Sequence, residues 1–228
     1  MIPSSKQLKT ALSLWSVTLP TLFGYLFFGM SYGFLMQQAQ VPLGLSVLFS
    51  LLVYAGSVQY IALGWIVNPL HPFLMGVIAL LVNSRHLFYS MRFQERFASL
   101  KGFKYFAYLT LTDETFTTLM MHTNLKGASL LIVTSLHYLY WSGATFMGHW
   151  LGSSLSNSIQ GLDFVLTALF FSALCSRITD PTTSKFAWIG LLISGLSFML
   201  FPQVIALSLS LILMLGVSLW FNKGHHYE

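Results

Sequence analysis

The sequence predicts an all-α fold, a polytopic transmembrane helical bundle of about seven spans, within a range of roughly six to eight. Three observations predict it. Only 7% of the 228 residues are charged, whereas a soluble domain carries about 25%. Residues 10–84, 127–162 and 186–222 contain no Asp, Glu, Lys or Arg. The apolar runs also lack the polar alternation of β-barrel strands, and helices satisfy their own backbone groups in lipid.

Eight apolar segments are candidates for membrane spans, because a transmembrane helix needs roughly 20 mostly apolar residues. They comprise residues 14–36, 42–66, 72–91, 105–123, 127–150, 162–176, 185–200 and 203–221. About seven of them are expected to cross the bilayer. We therefore expect residues 1–228 to form a single integral membrane domain.

The basic residues lie in short loops between the apolar runs, although the net charge of +5 could also suggest a nucleic-acid partner. Loop 92–104 carries four basic residues against one acid, and the positive-inside rule places such a loop in the cytoplasm. Lys6 and Lys9 favour the same side for the N-terminus. The lipid bilayer is therefore the expected partner, and nucleic acid is not. A single cysteine, Cys175, allows neither a disulfide framework nor a cysteine-based metal site.

Two cytoplasmic ends require an even number of crossings between the N-terminus and loop 92–104, yet three apolar segments lie between them. Segment 42–66 is the simplest candidate for a broken or re-entrant element. Its sequence Ala-Gly-Ser-Val-Gln at residues 55–59 is small and polar, and transporters break helices where the backbone lines a cavity. An external N-terminus is the alternative, since two lysines give a weak bias.

Small residues recur at helical spacing in two of the apolar segments. Gly29 and Gly33 form one GxxxG pair, and Gly148 and Gly152 form another. Such pairs allow two helices to approach closely. We interpret them as packing within the chain, in preference to a contact between subunits.

The first group of polar residues inside an apolar run is Asn-Ser-Arg-His-Leu-Phe-Tyr at residues 83–89. On a helix Arg85 and Tyr89 share one face, and Asn83 and His86 lie on the face that also holds Tyr89. Arginine can bind a carboxylate with two parallel hydrogen bonds, and a histidine such as His86 can carry a proton near neutral pH. The alternative is that Arg85 and His86 anchor the cytoplasmic end of the helix.

The second group is Thr-Asp-Glu-Thr-Phe-Thr-Thr at residues 112–118, near the middle of segment 105–123. Two unpaired carboxylates at that depth would cost about 5–7 kcal/mol. Asp113 and Glu114 must therefore be paired, protonated or in contact with water, and an ion pair of Arg85 with one of them is the obvious candidate. The alternative is that the segment lies partly outside the lipid and the acids are solvated.

A third acid, Asp163, stands at the head of an apolar run, where it suits either a substrate site or a helix cap. His137 and His149 lie among aromatic residues, and we interpret both as packing or interfacial residues. No metalloprotease, nucleophile-elbow, P-loop or dinucleotide-binding motif is present. We therefore expect no enzyme, no cofactor and no metal site, and any energy source would be an ion gradient.

Four motifs follow one another in an order that resembles the AzlC family, the large subunit of branched-chain amino-acid exporters. They are Tyr-Ala-Gly-Ser-Val-Gln-Tyr at 54–60, Asn-Ser-Arg-His-Leu-Phe-Tyr-Ser at 83–90, Thr-Asp-Glu-Thr-Phe at 112–116 and Gly-Leu-Asp-Phe at 161–164. The resemblance extends over roughly residues 14–220. The family usually has a hydrophobic residue where this chain has Ser84.

The resemblance implies export of leucine, isoleucine or valine, and sometimes methionine, across the bacterial inner membrane. It also implies energy from the proton gradient and a small AzlD-type membrane subunit as a partner. A zwitterionic substrate needs a cation for its carboxylate, which Arg85 could provide, and an acceptor for its ammonium, which Asp113 or Glu114 could provide. A break at Gly56, Ser57 and Gln59 would expose backbone groups and an amide to the substrate.

Two other classes of function are alternatives. A passive small-solute channel would share the buried polar residues. A non-transporting assembly or sensor subunit is the third class, and a soluble partner domain would favour it.

Overall fold

The computed structural model describes residues 5–154, 164–181 and 183–223. Within these ranges the chain is helical and contains no strand, which confirms the all-α prediction. By length and composition, two helices of the described chain could cross a membrane, Leu14–Gln38 and Pro72–Arg92. The expected number of about seven spans stays a prediction.

Eleven α-helices and one short 3₁₀ helix, Lys101–Phe103, make up the described part of the chain. The α-helices are α1 (Ser5–Gln38), α2 (Leu43–Leu52), α3 (Gly56–Val67), α4 (Pro72–Arg92), α5 (Gln94–Ala98), α6 (Lys104–Leu109), α7 (Asp113–Met121), α8 (Ala128–Ser154), α9 (Phe164–Thr179), α10 (Ser184–Leu200) and α11 (Gln203–Lys223).

The chain packs as two compact units. The first comprises residues 1–69 and 84–163, and thus contains α1–α3, the C-terminal part of α4 and α5–α8. The second comprises residues 70–83 and 164–228, in which α10 packs on both α9 and α11. Every side-chain contact considered below lies within the first unit.

The first unit is organised around α1 and α8, the most extensively packed pair of helices in the described chain. Their glycines face one another. A Cβ added at Gly33 would overlap the backbone of Thr145, and one added at Gly148 would overlap the backbone of Met30. Gly29 meets α8 in the same way. The two GxxxG pairs therefore pack against each other inside one chain, as the sequence predicts.

Segment 42–66 is broken, as predicted, but the break lies at residues 53–55, and Gly56, Ser57 and Gln59 belong to the helix that follows it. α2 ends at Leu52, α3 begins at Gly56, and the three residues between them are not helical. The tight approach of Trp141 explains the glycine, because a Cβ at Gly56 would lie 2.9 Å from Trp141 Cη2. The break therefore places the N-terminus of α3 against α8.

Segment 105–123 is broken as well, whereas the sequence analysis treated it as one apolar segment. α6 ends at Leu109 and α7 begins at Asp113. The physical reason is capping: Thr112 is extended, and its side-chain oxygen accepts a hydrogen bond from the Thr115 backbone N–H. The two acids Asp113 and Glu114 then occupy the first turn of α7, where the helix dipole favours negative charge.

Arg96 of α5 caps the C-terminal end of α7. Its guanidinium donates to the backbone carbonyls of Leu119 at 2.7 Å, His122 at 3.1 Å and Leu125 at 3.1 Å. These are carbonyls at and beyond the C-terminal turn of α7, which lack helical partners. Arg96 thus fixes the short helix that carries the acids.

A bulky residue at the crossing of α1 and α8 should disrupt the first unit. We expect Gly148→Val to lower the free energy of unfolding by at least about 2 kcal/mol, because the new side chain would meet the Met30 backbone, which has little room to shift. The measurement is unfolding in mixed detergent micelles. Gly143→Val on the same helix is the control, since nothing lies within 4 Å of a Cβ at Gly143. Equal stability of the two variants would contradict the packing described here.

Candidate functional site

An ion pair joins α4 to α7 at the centre of the site. Arg85 Nη1 lies 2.5 Å from Asp113 Oδ2. Arg85 Nη2 also donates to Ser57 Oγ of α3 at 2.7 Å, and Tyr89 donates its hydroxyl proton to Asp113 Oδ1 at 2.6 Å. The prediction that Arg85 pairs with one of the two acids is confirmed. Arg85 and Tyr89 both reach Asp113 because they lie one helical turn apart on α4.

Gln59 closes the break between α2 and α3. Its amide nitrogen donates to the Val53 carbonyl at 2.5 Å, and its amide oxygen accepts from Trp141 Nε1 at 2.9 Å. Gln59 is fully buried. Its amide therefore forms hydrogen bonds with a backbone carbonyl and an indole N–H at the break. Ser57 is the residue of α3 that contacts Arg85.

A polar stripe on α1 faces α7 and α8. Thr18 bonds Tyr140 at 3.0 Å, and Thr21 bonds Thr118 at 3.4 Å. Tyr25, one turn further along the same face, hydrogen-bonds α7 as well. The stripe ties α1 to both helices that frame the site.

Glu114 has a different environment from its neighbour Asp113. The Tyr25 hydroxyl donates to Glu114 Oε2 at 2.9 Å, and Glu114 forms no ion pair with any described residue. The negative charge of Asp113 is balanced by Arg85, so Glu114 is the uncompensated carboxylate of the pair.

Glu114 and Asp113 line a cavity of about 410 Å³ between α1 and α7. The remaining lining is mostly apolar. It comprises Val17, Pro20, Thr21, Gly24, Tyr25 and Phe28 from α1, with Thr117, Thr118, Met121 and His122 from the region of α7. The cavity thus combines apolar walls with one carboxylate that has no cationic partner in the described chain.

A series of hydrogen bonds connects Glu114 on α7 with His137 on α8. Tyr25 also bonds Thr112 Oγ1 at 2.7 Å, and Thr112 Oγ1 lies 3.2 Å from Thr115 Oγ1. Thr115 Oγ1 in turn bonds His137 Nδ1 of α8 at 2.9 Å. His137 is fully buried, and its Nε2 makes no hydrogen bond to any described residue.

Comparison with known proteins places the chain in a family. The model of that family, described as AzlC protein, matches residues 20–155. This chain belongs to the AzlC family. The matched range contains the ion pair, both helix breaks, His137 and every residue of the cavity lining except Val17.

Several relatives of this AzlC-family chain are similar over most of its length. The branched-chain amino acid transport protein AzlC of Bacillus subtilis is 30% identical over 193 residues, which cover 83% of this chain and 76% of that protein. A membrane protein of Helicobacter pylori is 30% identical over 90% of this chain and 92% of its own. One of Haemophilus influenzae is 30% identical over 85% and 84%. No solved structure shows a significant match.

Among the other predicted site residues, His86 and Asn83 do not line the cavity. His86 stacks on Tyr89 with ring centroids 5.9 Å apart and is not among the described residues that line the cavity. Asn83 lies two residues before Arg85 on α4. Asp163 falls outside the described residues.

The sequence did not single out Tyr25 for this AzlC-family site, and it predicted His137 only as a packing or interfacial residue. A signal for Tyr25 exists in the sequence, because Thr18, Thr21 and Tyr25 recur at helical spacing within an apolar run. Nothing in the sequence pairs His137 with Thr115, since the two residues come from different helices and meet through tertiary packing.

The Arg85–Asp113 pair should contribute to the stability of this AzlC-family chain. We expect Arg85→Gln and Asp113→Asn each to lower the free energy of unfolding by about 1–3 kcal/mol. That is less than for a fully buried pair because the two side chains are 38% and 36% exposed. The double variant should lose less than the sum, since the second substitution removes a charge that the first left unpaired. The measurement is a double-mutant cycle in detergent micelles.

Arg92→Gln, on the same helix and exposed, serves as the control for removal of a positive charge. Additive losses in the double variant, or losses no larger than that of Arg92→Gln, would contradict a stabilising ion pair.

Proposed function

We propose that this chain is the main subunit of an exporter that moves branched-chain amino acids, with methionine as a further substrate, out of the bacterial cytoplasm. The observation that carries the proposal is the cavity with apolar walls and a carboxylate free of any cationic partner in the described chain. Membership of the AzlC family supports it, as does the name of the Bacillus subtilis relative, a branched-chain amino acid transport protein.

Glu114 is the proposed acceptor for the substrate ammonium group. A hydrogen bond to a charged group is worth about 1.5–3 kcal/mol, and more where water is excluded. Asp113 is less suited, because Arg85 and Tyr89 already occupy its two oxygens. The volume of about 410 Å³ falls within the range of small-molecule sites.

The apolar lining is the proposed contact for the substrate side chain. Val17, Phe28 and Met121 offer aliphatic and aromatic surface beside the carboxylates. Such a wall distinguishes homologous side chains poorly, because one methylene is worth only about 1–3 kcal/mol. We therefore expect leucine, isoleucine and valine to share the site.

Arg85 is the proposed partner of the substrate carboxylate. Its guanidinium pairs with Asp113, which lines the cavity, and its Nε has no hydrogen-bond partner among the described residues. A substrate carboxylate would take the place of Asp113 on the guanidinium fork, a geometry that arginine accepts readily. We further propose that the chain spans the inner membrane several times and uses the proton gradient.

Export of radiolabelled leucine from cells tests the role of Glu114. We expect Glu114→Gln to raise the leucine concentration for half-maximal export by about tenfold or more, because the amide keeps the shape but loses the charge. Glu95→Gln, an exposed acid on α5, is the matched control and should export normally. An uncoupler should abolish accumulation against a gradient, which separates a carrier from a pore.

Normal export by Glu114→Gln at normal membrane abundance would remove this carboxylate from the substrate site. Failure of the wild-type chain to move leucine, isoleucine or valine under any condition would overturn the proposed function itself.

A small AzlD-type membrane subunit is the proposed partner. We expect leucine export to require coexpression of a small AzlD-type membrane protein, and the two proteins to copurify in mild detergent. The measurement is export and copurification with and without the second protein. Full export by this chain purified alone and reconstituted into vesicles would contradict the two-subunit assignment.

A further inference from the structure

The hydrogen bonds between Glu114 and His137 have a direction that follows from the number of protons available. An ionised carboxylate only accepts, so the single hydroxyl proton of Tyr25 goes to Glu114. The bond between Tyr25 and Thr112 must then use the proton of Thr112. The bond between Thr112 and Thr115 uses the proton of Thr115 in the same way.

The last bond in this series assigns the tautomer of His137. With its own proton donated to Thr112, Thr115 can only accept from His137, so Nδ1 carries the hydrogen. Nε2 is then a bare acceptor, fully buried and without a hydrogen-bond partner among the described residues. Nε2 is therefore the nitrogen to which a further proton would add, because Nδ1 already carries the hydrogen of the neutral ring.

The surroundings of His137 hold few other titratable groups. Tyr25 of α1 lies edge-on at 6.1 Å between ring centroids, and Tyr140 of α8 lies at 6.2 Å. Tyr54, next to the break before α3, is close to Tyr25 and Glu114. Glu114 is therefore the carboxylate of the described chain to which His137 is linked by hydroxyl groups.

We propose that His137 is the proton-exchanging residue of this transporter, and that Thr115, Thr112 and Tyr25 pass the proton between it and Glu114. The inference rests on the proposed function and names the proton path for the same site. It assigns the role to His137, whose hydrogen bonds lead to the cavity, in place of His86, which stacks on Tyr89 beside the ion pair.

The transfer balances without any other reactant. A proton that adds to Nε2 makes His137 an imidazolium, and Nδ1 passes its hydrogen to Thr115 Oγ1. Thr115 passes its own proton to Thr112, Thr112 to Tyr25, and Tyr25 to Glu114 Oε2. His137 becomes neutral with the hydrogen on Nε2, each hydroxyl keeps one proton, and Glu114 becomes a neutral carboxylic acid.

This transfer couples proton movement to substrate movement through one group. Ionised Glu114 attracts the substrate ammonium, whereas neutral Glu114 does not, because the charge that held the ammonium is gone. Arrival of the proton therefore releases the substrate, and departure of the proton restores the site. Because one carboxylate binds either a proton or the substrate ammonium group, the entry of a proton is exchanged for the export of a substrate molecule across the membrane.

Inside-out membrane vesicles that contain the wild-type exporter or a variant, each with its small subunit, test this path with radiolabelled leucine. Two rates are measured: accumulation driven by a pH gradient, and exchange of internal for external leucine without a gradient. We expect His137→Gln to lower the driven rate by about tenfold or more, because glutamine can donate to Thr115 but cannot take up a proton. Exchange should stay near the wild-type rate, since Glu114 still binds the ammonium.

Thr115→Val should have the same effect, because it interrupts the path and leaves both ends in place. Thr115→Ser keeps the hydroxyl and should restore driven transport. Thr134→Val on α8 is the control for removal of a buried hydroxyl, since the Thr134 hydroxyl bonds only the Leu131 carbonyl of its own helix. These variants distinguish a proton path from general packing.

Normal driven transport by His137→Gln or Thr115→Val would overturn the proton path, while normal exchange would leave the proposed function intact. Loss of both rates in His137→Gln and Thr115→Val would also overturn it, because His137 and Thr115 would then serve binding or folding. Absence of both rates in the wild-type exporter would instead contradict the proposed function.

Discussion

The close approach of α1 to α8 is the contact on which the remainder of the first unit depends. Gly33 and Gly148 let the two backbones meet directly, so no side chains separate the helices at the crossing. Without hydrophobic gain in lipid, such van der Waals packing is a main source of association between helices. The same approach brings the ring of Tyr25 on α1 against His137 and Trp141 on α8, and the polar groups of the site are held by this rigid pair.

Two broken helices are arranged around that pair. The break before α3 is satisfied by Gln59 and Trp141, and the break before α7 is satisfied by the Thr112 cap. Irregular backbone at membrane depth is tolerated only where protein or a cavity covers it. In the described chain, side chains cover the first break, and residues of α7 that follow the second break line the cavity. The breaks also place Ser57 and Asp113 on opposite sides of the Arg85 guanidinium.

Adjacent acids acquire different roles from their surroundings. Asp113 is neutralised by Arg85 and held by Tyr89, so it connects α4 to α7. Glu114 lines the cavity, accepts a hydrogen bond from the Tyr25 hydroxyl and forms no ion pair with a described residue. The two acids have different surroundings because the side chains of successive helical residues point in directions about 100° apart. The first acid therefore stabilises the unit, and the second is available to a ligand or a proton.

The sequence by itself determined the helical class, the membrane character, the break near residues 55–59 and the pairing of Arg85 with one of two acids. Each follows from local composition or from the cost of a charge in lipid, which any arrangement of the helices must satisfy. The tertiary structure decided which acid pairs and that Gln59 seals a break inside the protein, whereas the break at Thr112 follows from a local helix cap that the sequence analysis missed. It also joined His137 to Glu114 through Thr115, Thr112 and Tyr25. Those outcomes depend on side chains from five helices, α1, α3, α4, α7 and α8, and the rotation of each helix about its axis is set by packing and not by its own residues.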